Sequence, residues 1–211
     1  AAFAFSAIFP FIVLIMAVFF VREKHIAPGK GEFKEIWAAL RAGFGERSVW
    51  LVGAFIFLFN FSPSFGPAFF YYQTDVLGFG QQYIGVLSSI GSAASIAGAF
   101  IYVPLSRVMP LRRLINLAIG LSVVTLLAYL AYRGETSAIF IHVIWGVTGM
   151  ITMLAFLDLA ARACPKRAEA TFFALLMSVF NLGSLASQNV GAHLYTELGE
   201  GPSAYLWLVI I

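Results

Sequence analysis

Six runs of this chain carry no charge, and each is about as long as a lipid bilayer is thick. They are Ala1–Val21, Ser48–Thr74, Val76–Ser106, Leu114–Tyr132, Thr136–Leu157 and Ala170–Thr196. A spanning helix needs about 20 apolar residues, and a helix satisfies every backbone polar group internally, which hydrocarbon demands. A seventh run, Gly201–Ile211, reads as a span cut short at the end of a fragment. Apolar residues make up 61% of the chain and charged ones 11%; soluble domains run near 45–50% and about 25%. The expected class is an all-α, polytopic membrane protein. Ala1–Val21 does not read as a cleaved signal peptide, because its basic flank follows it rather than precedes it.

Lysine and arginine set the expected orientation. Arg22, Lys24, Lys30, Lys34, Arg41 and Arg47 fall in the first connection, Arg107, Arg112 and Arg113 in the third, and Arg162, Lys166 and Arg167 in the fifth. Of the 13 basic residues only Arg133 lies in an even-numbered connection. The positive-inside rule then places the odd connections in the cytoplasm. The opposite connections are short and hold Asp75, Glu135, Glu197 and Glu200.

The first connection is the longest. Pro28, Gly29 and Gly31 mark a linker, after which Phe33, Ile36, Trp37, Leu40 and Phe44 recur at helical spacing. This pattern suits either a short helix in the membrane interface or a linker helix packed on protein. The expected division is a transmembrane helix over 1–21, a cytoplasmic loop with an amphipathic helix over 22–47, and a transmembrane bundle over 48–211. Within the bundle, spans are expected near 48–72, 82–105, 114–132, 137–161, 170–194 and a truncated 202–211. This layout resembles the last helix of the N-terminal half, the central loop and the C-terminal half of a major-facilitator-type carrier.

The second span holds Phe59-Asn60-Phe61-Ser62-Pro63-Ser64-Phe65-Gly66-Pro67 and then Tyr71-Tyr72. Two prolines and a glycine interrupt the hydrogen-bond ladder, so freed carbonyls must face protein or water. Either a discontinuous, cavity-lining helix or a kinked packing helix with an aromatic belt accounts for it. Asn60, Ser64 and Tyr71 are candidate solute contacts. The third span is rich in Gly, Ala and Ser from Gly85 to Gly98, which suits close helix packing, with a sliding gate surface as the alternative. The fourth span, Leu114–Tyr132, has few polar groups and is expected to face lipid.

Asp158 ends the fifth span, and a charge there costs roughly 2.5–3.5 kcal/mol unless paired or wet. Arg162 lies four residues on, on the same helix face. The pair is either a local anchor of the helix end or a gate or proton-coupling element, with Arg107 and Arg112 as further gating candidates. His142, toward the other end of that span, reads as a packing residue. Ser178, Asn181 and Gln188 form one polar stripe on the sixth span, which must face the bundle interior or an aqueous cavity. Asn181 and Gln188 join the solute-contact candidates, with interhelical hydrogen bonding as the competing role.

Several segments together carry a family likeness. They are Arg162-x-Cys164-Pro165, Glu169-Ala170-Thr171, Phe173-Ala174-Leu175-Leu176-Met177-Ser178, Asn181, Gly183-Ser184, Pro63-Ser64, Phe69-Phe70-Tyr71-Tyr72, Leu77-Gly78-Phe79 and Pro110-Leu111-Arg112-Arg113. In these the chain resembles the folate–biopterin transporter family, over roughly Trp50 to Gly191. The resemblance implies a twelve-helix carrier, monomeric when full length, that moves folates or pterins by alternating access with a proton as coupling ion. The alternative is a major-facilitator carrier of another small solute such as a sugar, drug or organic anion. No cofactor, metal or nucleic acid is expected. An intramembrane enzyme would need a nucleophile–base pair or clustered ligands, whereas His25, His142 and His193 are scattered and Cys164 is alone.

Overall fold

Helices occupy the uncharged runs, and one further helix lies in the charged first connection. The computed structural model describes residues 2–20, 32–61, 66–166, 168–199 and 202–210. In chain order the helices are α1 (Ala2–Phe20), α2 (Glu32–Gly45), α3 (Arg47–Asn60), α4 (Gly66–Tyr71), α5 (Gln81–Val108), α6 (Leu111–Ala128), α7 (Glu135–Ala163), α8 (Glu169–Glu197) and α9 (Pro202–Ile210). The described residues include no strand. Among them α5, α6 with its 3₁₀ continuation Tyr129–Ala131, α7 and α8 are long and apolar enough to cross a membrane; Pro10–Phe20 and α3 are shorter apolar helices. The chain is an all-α, integral, multi-pass membrane protein.

Two compact units divide the chain, residues 1–37 and 38–211. The first contains α1, an apolar helix with Pro10 inside it. The second contains every helix from α3 to α9 and the end of α2.

The second uncharged run is two helices. α3 ends at Asn60, where the Phe61 N–H reaches Phe57 O at 2.8 Å, and α4 begins at Gly66. The Ser62-Pro63-Ser64-Phe65 stretch, including the candidate Ser64, lies outside the described residues. α4 runs into a wide π-helical turn, Tyr72–Val76, closed by Leu77 N–H to Tyr72 O at 3.0 Å. Gly78 then turns the chain with φ at +67°, a left-handed value that side chains with a Cβ rarely adopt.

Three packing contacts organise the larger unit. α5 and α7 meet backbone to backbone. A Cβ on Gly98 would lie 2.5 Å from Val147 O, and one on Gly146 would overlap Gly91 O. Lipid tails are as apolar as leucine, so helices gain by such close fits rather than by burying apolar surface. The small residues of the third span thus serve packing, as expected, on the face bearing Gly91 and Gly98. α6 lies on the neighbouring face of α7, with Leu114, Ala118, Ile151, Ala155 and Tyr102 buried together. This corrects the expectation that the fourth span faces lipid. Its other face is exposed, at Val123, Val124 and Leu127. α3 packs on α8 through Ile56 and Leu176, and Gly183 comes against Phe57 O and the Asn60 side chain.

The end of α2 joins this unit. Gly43 and Phe44 press on Phe172 at the start of α8, and Leu40 packs against the cluster of Val49, Ala168 and Phe172. For these residues the linker helix is packed on protein. At the opposite end an aromatic cluster of Phe69, Phe79, Tyr129 and Tyr132 closes the bundle. Gln73, buried there, donates from Nε2 to Tyr132 Oη at 2.6 Å, and Tyr72 Oη donates to Tyr132 O at 3.1 Å. A buried amide without such a partner would be costly, so this pair pins the end of α4 to the end of α6.

Candidate functional site

Where α3, α6, α7 and α8 fail to close on one another, a cavity of about 310 Å³ remains. Asn60 stands at one side, as the last residue of α3. Across from it, Ser122 and Thr125 of α6 face Thr152 and Thr148 of α7. Ser122 Oγ lies 3.3 Å from Thr152 Oγ1, and Thr125 Oγ1 lies 2.9 Å from Thr148 Oγ1. Aromatic walls are supplied by Phe59, Tyr129, Trp145, Phe156 and Phe180. Phe59 and Phe156 meet edge to face at 4.5 Å, which fixes the wall beside Asn60.

The hydrogen bonds define what this lining offers. Asn60 Nδ2 donates to Ile56 O at 2.8 Å, leaving its second N–H and its Oδ1 for a ligand. Ser122, Thr125 and Thr148 each point a hydroxyl at a carbonyl one turn back on their own helix, at 2.8–2.9 Å. Each hydroxyl has one proton. In the Thr125–Thr148 pair, then, one residue must forgo its backbone bond to donate across. The ladder is rich in lone pairs and can reorient its protons at little cost. That arrangement suits a polar, uncharged edge of a solute.

A second cavity, of about 530 Å³, adjoins the first, with Tyr129 and Trp145 lining both. It is bordered by Phe69 and Gln73 on one side and by Ser88 and Ser92 of α5 on the other. His142 sits at its edge, buried, with Nδ1 2.9 Å from Ala138 O. That contact assigns the ring proton to Nδ1 and makes His142 the packing residue expected, in loose stacking with Phe69.

The other candidates lie apart from this site. Tyr71 is exposed and stacks on Tyr195 at 6.4 Å, lining neither cavity. Gly183 faces Asn60, so Asn181, two residues earlier, is turned about 200° away on the helix. Asn181, Ser178 and Gln188 all lie on an exposed face of α8, and Gln188 Nε2 reaches only Ser184 Oγ, at 3.4 Å. The structure therefore does not bring Asn60 together with Asn181 or Gln188.

Asp158 and Arg162 form the two-pronged pair their spacing predicts, Nε to Oδ1 at 3.0 Å and Nη2 to Oδ2 at 3.1 Å. Arg162 is 61% exposed and Asp158 27%. Arg107 and Arg112 are exposed and do not join them. Just beyond, Cys164 caps α7, its Sγ donating to Ala160 O at 3.1 Å. Burial, and then the nearby Glu169, push this thiol above its ordinary range. Among the described residues no three His, Cys, Asp or Glu side chains gather as a metal site.

The family model that matches this sequence, that of the BT1 family, does so over residues 1–211. The chain belongs to the BT1 family. It is 34% identical to the folate-biopterin transporter of Synechocystis sp., covering 93% of this chain and 42% of that protein. It is 33% identical to probable folate-biopterin transporter 4 of Arabidopsis thaliana, over 68% of this chain and 31% of the relative. Folate transporter 2 of Plasmodium falciparum is 26% identical over 89% of this chain and 43% of its own length. No solved structure matches. The family likeness read from these sequence segments is therefore correct, and these relatives are named as transporters, not enzymes. This BT1 chain spans between 31% and 45% of the length of the curated relatives it matches.

Within this BT1 chain the hydroxyl ladder is what sequence reasoning missed. A signal existed. Ser122 and Thr125 are three apart, Thr148 and Thr152 are four apart, and the pairs run in opposite directions along the chain, as antiparallel helices require.

Proposed function

We propose that this BT1 chain forms part of a secondary-active, major-facilitator-type membrane transporter that carries folate- or pterin-like solutes by alternating access. The carrying observation is the Asn60 cavity. Its flat aromatic walls and uncharged hydrogen-bonding edge suit a heteroaromatic ring of the pterin kind, within a family whose relatives are named as folate and biopterin transporters. Among the described lining residues there is no cation, so a folate's carboxylates would be met elsewhere in the protein.

The exposed polar faces of α5 and α8 support the two-halved reading. Ser88, Ser92, Asn181 and Gln188 at membrane depth need protein or water beside them, and a solute pathway between two helical halves supplies both. Tyr71 and Ser64 remain candidate contacts of that pathway. The basic residues orient the odd connections toward the cytoplasm. Asp158, paired with Arg162, is the carboxylate assigned to proton coupling or gating, with Arg107 and Arg112 at the same end of the bundle.

Uptake of a labelled pterin by cells expressing the full-length protein tests this. Folate and pterins should compete, while sugars and amino acids should not. Competition by a sugar or a simple organic anion, with pterins inert, would replace the proposed cargo by another small solute.

A further inference from the structure

We infer that a cleft between α3, α6 and α7 binds an anionic phospholipid, with its phosphodiester at Arg112 and an acyl chain in the cleft. The cleft measures about 370 Å³ and shares no lining residue with the two cavities above. Val52 and Phe55 of α3, Ile115 of α6 and Leu159 of α7 form its apolar walls, and Arg112 and Asn116 are polar groups on its border. Apart from those two side chains the lining is apolar. It matches hydrocarbon with a charge at one end.

The charge at that end is unspent. Arg112 and Arg113 open α6 and are both exposed, and the first turn of α6 holds no acidic residue. Among the described residues the salt bridge is that of Arg162 with Asp158, so neither arginine has a carboxylate partner. Pro110 precedes the helix without a side-chain cap, leaving the positive end of the helix dipole beside the guanidinium groups. Ile115 lies one turn deeper, about 5 Å along the axis. The order of charge outside and apolar wall inside is that of a phospholipid standing in its own leaflet. Basic groups between helices at a membrane surface hold anionic headgroups in this way.

Titration of the purified full-length protein with phosphatidylglycerol and with phosphatidylcholine, read by native mass spectrometry, tests the inference. Phosphatidylglycerol should bind about tenfold more tightly than phosphatidylcholine, and Arg112→Gln should weaken it about fivefold. Arg133→Gln, at the other end of the bundle, should leave it unchanged. Ile115→Trp, which fills the cleft, should also weaken it; were that variant to misfold, the exposed Arg112→Gln decides alone. Equal binding of the two lipids, or unaltered phosphatidylglycerol binding in Arg112→Gln, overturns the site. Displacement of the lipid by glycerol phosphate at equal concentration overturns it too, by showing a soluble-anion site instead.

Discussion

Two faces of α7 solve opposite problems. Toward α5, Gly146 has no Cβ to keep the two backbones apart, and the interface is tight. Toward α6 and α3, Thr148, Gly149 and Thr152 border a cavity whose polar atoms partly satisfy one another. Yet the two glycines, Gly146 and Gly149, are only three residues apart. A Cβ at the first would strike Gly91 and Ala94, while one at the second would meet nothing within 4 Å. Glycine on this helix therefore has two meanings, contact and space. The rigid face holds the ladder residues in place, and the open face leaves them room to act.

The contrast can be broken most forcefully at Gly146. Gly146→Leu is expected to cost about 3 kcal/mol through overpacking, seen as lost monodispersity and a lower Tm. Gly149→Ala should fold normally and slow uptake only; equal stability of both variants would erase the distinction. Next in size, Asn60→Ala should reduce uptake about tenfold at unchanged membrane expression, the loss of roughly one to two ligand hydrogen bonds. Uptake at the parental rate would remove Asn60 from the site.

A smaller effect is expected within the ladder. Thr125→Val and Thr148→Val, combined in a double-mutant cycle, should show coupling near 0.6 kcal/mol, as for other hydroxyl pairs between membrane helices. Additive effects would mean that the 2.9 Å contact contributes nothing. Smallest of all is Arg162→Gln. Its side chain is largely exposed, so Tm should stay where it is. Asp158→Asn sharpens the same question, since a coupling carboxylate should flatten the pH profile of uptake and a mere anchor should not.

The membrane-crossing helices were legible because a buried charge is so costly that uncharged runs mark them out. Helix packing through Gly91 and Gly98 was legible for a similar reason, since lipid rewards close approach; Gly146, which faces Gly91, was not singled out. The split of the second span at Asn60 was signalled by its prolines and glycine. The ladder was not, because Ser and Thr can bond their own helix and so pass as neutral residues in an apolar run. Nor could Asn181 and Asn60 be placed apart by composition. Only the packing of Gly183 against α3 shows that α8 turns its polar stripe away from the cavity.

The wide turn at Tyr72–Val76 has a consequence for register. Each residue of an α-helix adds about 100° and 1.5 Å, and a π-turn holds one residue more than that winding would. Tightening it to α would rotate Gln73 off the Tyr132 hydroxyl and advance α4 by one step, like a screw thread taking up slack. The 2.6 Å bond between those side chains, with that from Tyr72 to the Tyr132 carbonyl, ties the wide turn to the end of α6.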